Sequence, residues 1–100
     1  MNTHNHNYYV YILTNKLKTV LYTGVTNNLA QRLFQHQNGD KETSFTAKYN
    51  VFYLIYFERF QYIEHAINRE KEIKGWRRSK KIDLINSFNT EWNFLNDTIS

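Results

Sequence analysis

Tyr11, Tyr22, Arg32, His36 and Glu70 are the side chains of this 100-residue chain whose types, taken together, point to chemistry. Hydrolysis of a phosphodiester needs a group that takes a proton from water, a metal held against a phosphate oxygen, and a cation that offsets the charge growing in the transition state. Tyrosine serves as the base when a neighbouring cation lowers its pKa. The planar fork of arginine matches a phosphate. One carboxylate suffices for Mg2+, which keeps several waters and takes the substrate phosphate as a further ligand.

The elements that must position these residues follow from the pattern of apolar side chains. Residues 8–13 (YYVYIL) and 20–25 (VLYTGV) are short, aromatic and β-branched, which is strand composition, and the polar TNKLKT joins them as a hairpin. A symmetric six-residue loop sets Leu13 opposite Val20 and Tyr11 opposite Tyr22, so that two tyrosines meet on one sheet face. After Gly24 the period changes. Thr26 or Asn27 is placed to cap a helix whose apolar stripe is Leu29, Ala30, Leu33 and Phe34, with Gly39 as its stop. Arg32 and His36, four apart, share a face at the border of that stripe.

Residues 41–50 read as a loop, and 51–57 (VFYLIYF), the most apolar run, as a central strand buried on both faces. Residues 62–74 are helical, with Gly75 ending or kinking the helix, and 79–88 form a third helix. In the second helix Ile63, Ala66, Ile67 and Ile73 mark the buried side. Glu70 falls on the same side, whereas Glu64 and Glu72 lie off it. A buried carboxylate requires a cation, a metal or a strong hydrogen-bond donor beside it. Plainer roles fit each residue too: sheet packing for the tyrosines, a structural ion pair for Arg32 and Glu70, packing at the helix edge for His36, and the strand-to-helix turn for Gly24.

Composition bounds the rest. With 41% apolar and 17% aromatic residues and no proline, the chain reads as one domain over residues 8–96, with a disordered polar tail at 1–7 and a short tail at 97–100. The absence of cysteine excludes a disulfide framework and a thiolate zinc site, and is compatible with a reducing compartment. No apolar run approaches the roughly 18 residues of a membrane span, and MNTHNHN lacks a signal peptide's order; the cytoplasm is the expected location. His4 and His6 have no further ligands near them and receive no role. Residues 69–81 (REKEIKGWRRSKK) hold seven of the thirteen basic residues and two of the nine acidic ones. Such a block is either a polyanion-binding surface or a solvated helix end. Trp76 within it either stacks on an unpaired base or closes the core.

The spacing of these residues resembles that of the GIY-YIG nucleases. Tyr9-Val10-Tyr11 stands where the GIY motif would be, and Tyr22-Thr23-Gly24 stands for YIG eleven residues later. Arg32 follows the second tyrosine by ten residues and His36 by four more, as in that family. Glu70, in AINREKEIKGW, matches the metal-binding glutamate. Asn89, in NTEW, is similar to the family's late asparagine, with Asn86 as the alternative. The likeness runs over residues 8–92 and is closest to small stand-alone bacterial members related to the N-terminal domain of an excinuclease. Tyr9, Thr23 and Thr90 replace the usual glycine, isoleucine and proline, and Val25 replaces a lysine.

The resemblance implies an α+β fold in which a three-stranded antiparallel sheet is flanked by helices in the order β-β-α-β-α-α. It also implies Mg2+ or Mn2+ on Glu70 and a catalytic set of Tyr11, Tyr22, Arg32, His36, Glu70 and Asn89, with either tyrosine as base. The expected activity is metal-dependent DNA cleavage, structure-selective or weakly sequence-specific. Duplex or branched DNA is favoured over RNA, with Lys71, Lys74, Arg77, Arg78, Lys80 and Lys81 on the phosphate backbone. Two other readings compete: a catalytically silent nucleic-acid-binding module of the same fold, and a protein adaptor using Tyr53 or Tyr56.

Overall fold

A strand buried over most of its length organises the chain: β1 (Tyr8–Thr14), whose residues 10–14 are all buried. A computed structural model describes residues 6–38 and 44–99. In it β1 lies between β2 (Leu21–Thr26) and β3 (Tyr53–Phe60), both antiparallel to it, in the sheet order β2-β1-β3. The helices are α1 (Leu29–Gln37), α2 (Ser44–Tyr49), α3 (Ile63–Lys74) and α4 (Arg78–Phe88), and a 3-10 turn spans Asn96–Thr98. The α+β class and the three-stranded sheet expected from the sequence are what the structure has.

Because successive strand residues point to opposite faces, β1 feeds two cores. Val10 and Ile12 meet Ile55, Tyr56, Ala66, Ile73 and Ile85, which brings α3 and α4 onto one face. Tyr11 and Leu13 meet Leu29, Leu33, Val51 and Leu54, which sets α1 on the other. Side chains on β1 therefore have a helix above and a helix below. Tyr11 and Tyr22, the two tyrosines singled out in the sequence, both belong to the α1 face.

Several local expectations are corrected. The hairpin loop starts at Asn15 rather than Thr14, because Thr14 pairs with Leu21 and the Asn15 side chain accepts from the backbone N–H of Thr19 and Val20. The register is thereby shifted by two: Tyr11 lies opposite Gly24, and Leu13 opposite Tyr22. A shift of two leaves every side chain on its face, so both tyrosines still share one. Gly24 lies inside β2, not at a break before the helix. Asn28, not Thr26 or Asn27, caps α1 by accepting from the Gln31 N–H.

Phe34 and Ile63, expected in apolar stripes, are exposed, whereas His36 is fully buried. Residues 44–49, expected as loop, form α2; the proposed stop at Gly39 lies outside the described residues. Gly75 does end α3, in a right-handed conformation.

The run expected as the central strand is an edge strand. Its Val51, Leu54, Ile55 and Tyr56 are buried all the same and Phe52, Tyr53 and Phe57 half-buried, since the C-terminal segment covers its outer side: Leu95 N–H donates to Leu54 O at 2.7 Å, and Asn96 bonds the main chain of Leu54 and Phe52. A bulge between β1 and β3 leaves Ile55 outside the pairing. Asn89 captures its carbonyl at 3.0 Å, while also donating to Asn93 O and accepting from Asn93 N–H. Ile99, in the stretch expected as a tail, packs with Leu95 against the α1-side core.

Replacing the buried amide of Asn89 by a methyl would orphan these main-chain groups. Asn89→Ala should lose about 1–3 kcal/mol of stability. Urea unfolding checks this, and an unchanged midpoint would show that the amide ties nothing down.

Candidate active site

Across the sheet from Tyr11 stands Gly24, and the absence of a side chain there is what the tyrosine uses. A Cβ built on Gly24 would lie 2.5 Å from the Tyr11 hydroxyl oxygen and 2.6 Å from Cζ, so no other residue lets the ring lie across β2. Its hydroxyl then sits 3.0 Å from Nε2 of His36, and Nδ1 of His36 sits 2.8 Å from Oγ1 of Thr46. All three side chains are buried. Sheet, α1 and α2 are joined by one polar line.

Tyr22, two residues before Gly24, faces the same way. Its ring centroid is 6.5 Å from that of Tyr11 and 5.5 Å from that of His36, which it meets edge-on. Tyr22 is half-buried and Tyr11 almost fully so. Arg32, one turn before His36 on α1, is half-buried. Glu70 comes from the other side of the sheet, on α3, which packs against β1 and β2. Its side chain is only 13% exposed, and Lys74, one turn on, binds its carboxylate at 2.6 Å.

Electrostatics tie the set together. Burial pushes the Tyr11 phenol well above its ordinary value; Tyr22 raises it further, Arg32 opposes the shift, and Glu70 adds to it. Arg32 and Glu70 thus both act on one hydroxyl. The cation does not win, and Tyr11 keeps its proton at neutral pH rather than serving as a ready phenolate. With Nδ1–H of His36 donated to Thr46, Nε2 is left to accept the phenolic proton; the opposite tautomer reverses both bonds.

Of the six residues expected to be catalytic, Tyr11, Tyr22 and His36 pack together, Arg32 lies one turn before His36 on α1, and Glu70, on α3, acts on the Tyr11 hydroxyl through its charge. Asn89 is tied to the outer edge of β3, and the alternative Asn86 accepts from the Trp92 indole. In the basic block, Lys71, Arg77, Arg78 and Lys80 are exposed, Lys81 is half-buried and Lys74 is engaged with Glu70. Trp76 packs against the core with Lys80 and Arg69 over its ring. Of the two aromatics the adaptor reading offered, Tyr56 is buried and Tyr53 half-buried.

Two members of the site have no signal in the residue pattern: Thr46, and the contact of Lys74 with Glu70. Residues 70 and 74 do have the i,i+4 spacing of an acid–base pair, but spacing alone does not set them apart from the charged block around them.

The donors present suit one class of ion. Among the described residues no group of three or more His, Cys, Asp or Glu side chains converges, so an all-protein cage is absent there. A single shielded carboxylate fits a hard ion that keeps most of its waters, as Mg2+ does. Among the described residues no helix is long and apolar enough to cross a membrane.

Residues 7–83 match the GIY-YIG catalytic domain family. The chain is 43% identical over 79 residues to a UPF0213 protein of Clostridium perfringens, covering 79% of this chain and 83% of that one. It is 36% identical over 78 residues to a UPF0213 protein of Staphylococcus saprophyticus, covering 78% and 93%. The solution NMR structure of a UPF0213 protein from Bacillus halodurans superposes with a TM-score of 0.57 at 32% identity, covering 92% of this chain and 93% of that one.

Two outcomes follow from this geometry. Gly24→Ala should displace the Tyr11 ring and cost about 1–3 kcal/mol; a melting temperature equal to wild type would show that the ring has other room. The second concerns pH. The folded chain holds the Tyr11 proton more tightly than the unfolded chain, so the stability it lends is intact below the ordinary tyrosine value of 10.0 and falls as pH rises above it. Tyr56, whose phenol burial and Glu58 also push up, acts in the same direction. Tyr11→Phe should therefore lower stability at neutral pH yet flatten its alkaline decline, by up to about 1.4 kcal/mol per pH unit. Urea titrations at successive pH values read the slope, and a slope unchanged by the substitution would contradict the burial argument.

Proposed function

This chain belongs to the GIY-YIG catalytic domain family, and on that premise we propose that it is a metal-dependent endonuclease acting on DNA. Members of the family are generally endonucleases that use divalent metal ions, and the domain implies a nucleic acid substrate. What supports the finer reading is the packing of two tyrosines and a histidine about one buried hydroxyl, with the charges of an arginine and a shielded glutamate acting on it.

Glu70 would hold Mg2+ or Mn2+, releasing Lys74 to solvent. Bound there, the ion polarises a phosphate oxygen and lowers the pKa of a coordinated water. Arg32 neutralises the scissile phosphate and the charge that grows on it. Tyr22, the more accessible of the two tyrosines, aligns the attacking water. The proton needs no lasting phenolate, because Tyr11 can pass its own phenolic proton to Nε2 of His36 as its oxygen receives another. In this transfer Thr46 accepts from Nδ1–H, which leaves Nε2 free to take the proton. Lys71, Arg77, Arg78 and Lys80 meet the phosphate backbone outside the site. Such contacts position a strand without identifying bases, which favours structure-selective or weakly sequence-specific cutting.

Cleavage of branched, flapped and plain duplex DNA tests this. Wild-type protein should cut in Mg2+ or Mn2+ and stop on chelation. Arg32→Ala should slow cutting by about 10²- to 10³-fold, and Glu70→Ala should remove the response to metal. Salt-sensitive DNA binding without cleavage by wild type or either variant would identify the silent binding module instead.

A further inference from the structure

On α2 the residue next to buried Thr46 points outward. Phe45 stacks on the catalytic-face Tyr22 with centroids 6.0 Å apart and planes at 26°, and Tyr49, one turn along, lies 4.9 Å from Phe45. Phe45 and Tyr49 are 46% and 44% exposed. Lys48 sets its ammonium 5.4 Å from the Tyr49 ring centre. A ridge of three aromatic rings therefore starts inside the site and runs out into solvent with a cation at its far end. His36 holds the base of the ridge through Thr46, so the ridge is fixed relative to the hydroxyl of Tyr11.

We propose that this ridge binds unpaired nucleotides beside the scissile phosphate, so that the preferred substrate carries a single-stranded segment such as a flap or a displaced end. The inference rests on the nucleic acid reading above and adds the strand state it selects. Each nucleobase offers a flat apolar face, and stacking on an aromatic side chain is sequence-tolerant. A paired base hides both faces in its own stack and cannot use the ridge. Lys48 supplies the charge for the adjoining phosphate.

A protein partner is the poorer occupant. With side chains of about 150–250 Å² each, the two half-exposed rings offer about 200 Å², a quarter of the roughly 800 Å² per partner in a standard interface. Continuity with Tyr22 also favours an occupant that enters the site itself.

Binding measured in EDTA separates this inference from the activity. A fluorescein-labelled single-stranded oligothymidylate of about 12 nucleotides and a blunt duplex of equal length serve as probes. Phe45→Ala with Tyr49→Ala should weaken single-strand binding about tenfold or more and leave duplex binding unchanged. Phe45→Trp should retain single-strand binding in the Tyr49 wild-type background, and its indole emission should be quenched by the oligonucleotide; this arm stands even where the double variant fails to fold. Equal loss for both probes, absence of quenching, or a dimer of the wild-type protein that the double substitution abolishes would overturn the inference. Cleavage by wild type with no effect of the ridge substitutions would sink the ridge and spare the nuclease. Ridge-dependent single-strand binding without any cleavage would do the reverse.

Discussion

The hydrogen bond between the Tyr11 hydroxyl and Nε2 of His36 is the contact on which the rest of the site depends. It is 3.0 Å long and buried, and it exists because the residue beneath the Tyr11 ring has no Cβ. A buried hydroxyl or imidazole left unsatisfied costs about 1–3 kcal/mol, so each partner holds the other in place. Thr46 extends the constraint to α2. Three elements distant in the chain are thereby held together by polar groups in a region that is otherwise apolar packing.

Around that bond the two faces of the sheet contribute different chemistry. The α1 side supplies the tyrosines, the arginine and the histidine; α3 supplies the one shielded acid. Glu70 tolerates its 13% exposure because Lys74, whose own side chain is half-exposed, neutralises it. A flexible, half-exposed lysine on a shielded carboxylate suits the proposed exchange of a protein cation for a metal.

The fold was legible where side-chain period decides it. Both strands of the hairpin, three helices and the shared face of the tyrosines follow from spacing, and the face survived a register error of two residues because strands repeat every two. What failed depended on distant partners. The reason for Gly24 is a ring thirteen residues away. The six residues of α2 are too few to show a helical period. An apolar run cannot tell a central strand from an edge strand covered by the C-terminal segment. Asn89 looked catalytic by its neighbours in sequence, and its amide is spent on the carbonyl that a bulge set free. For the site, residue types and spacing marked Tyr11, Tyr22, Arg32, His36 and Glu70 as candidates; the Thr46 hydroxyl on the histidine and the lysine on the glutamate needed coordinates.

The most direct measurement is a crystal structure with Mn2+ and a non-hydrolysable phosphodiester, read by anomalous scattering. The ion is expected on Glu70 with Lys74 swung away, the phosphate on Arg32, and Tyr11 still bonded to His36. An ion bound elsewhere, with Lys74 retained on Glu70 and the phosphate out of reach of Arg32, would contradict that expectation.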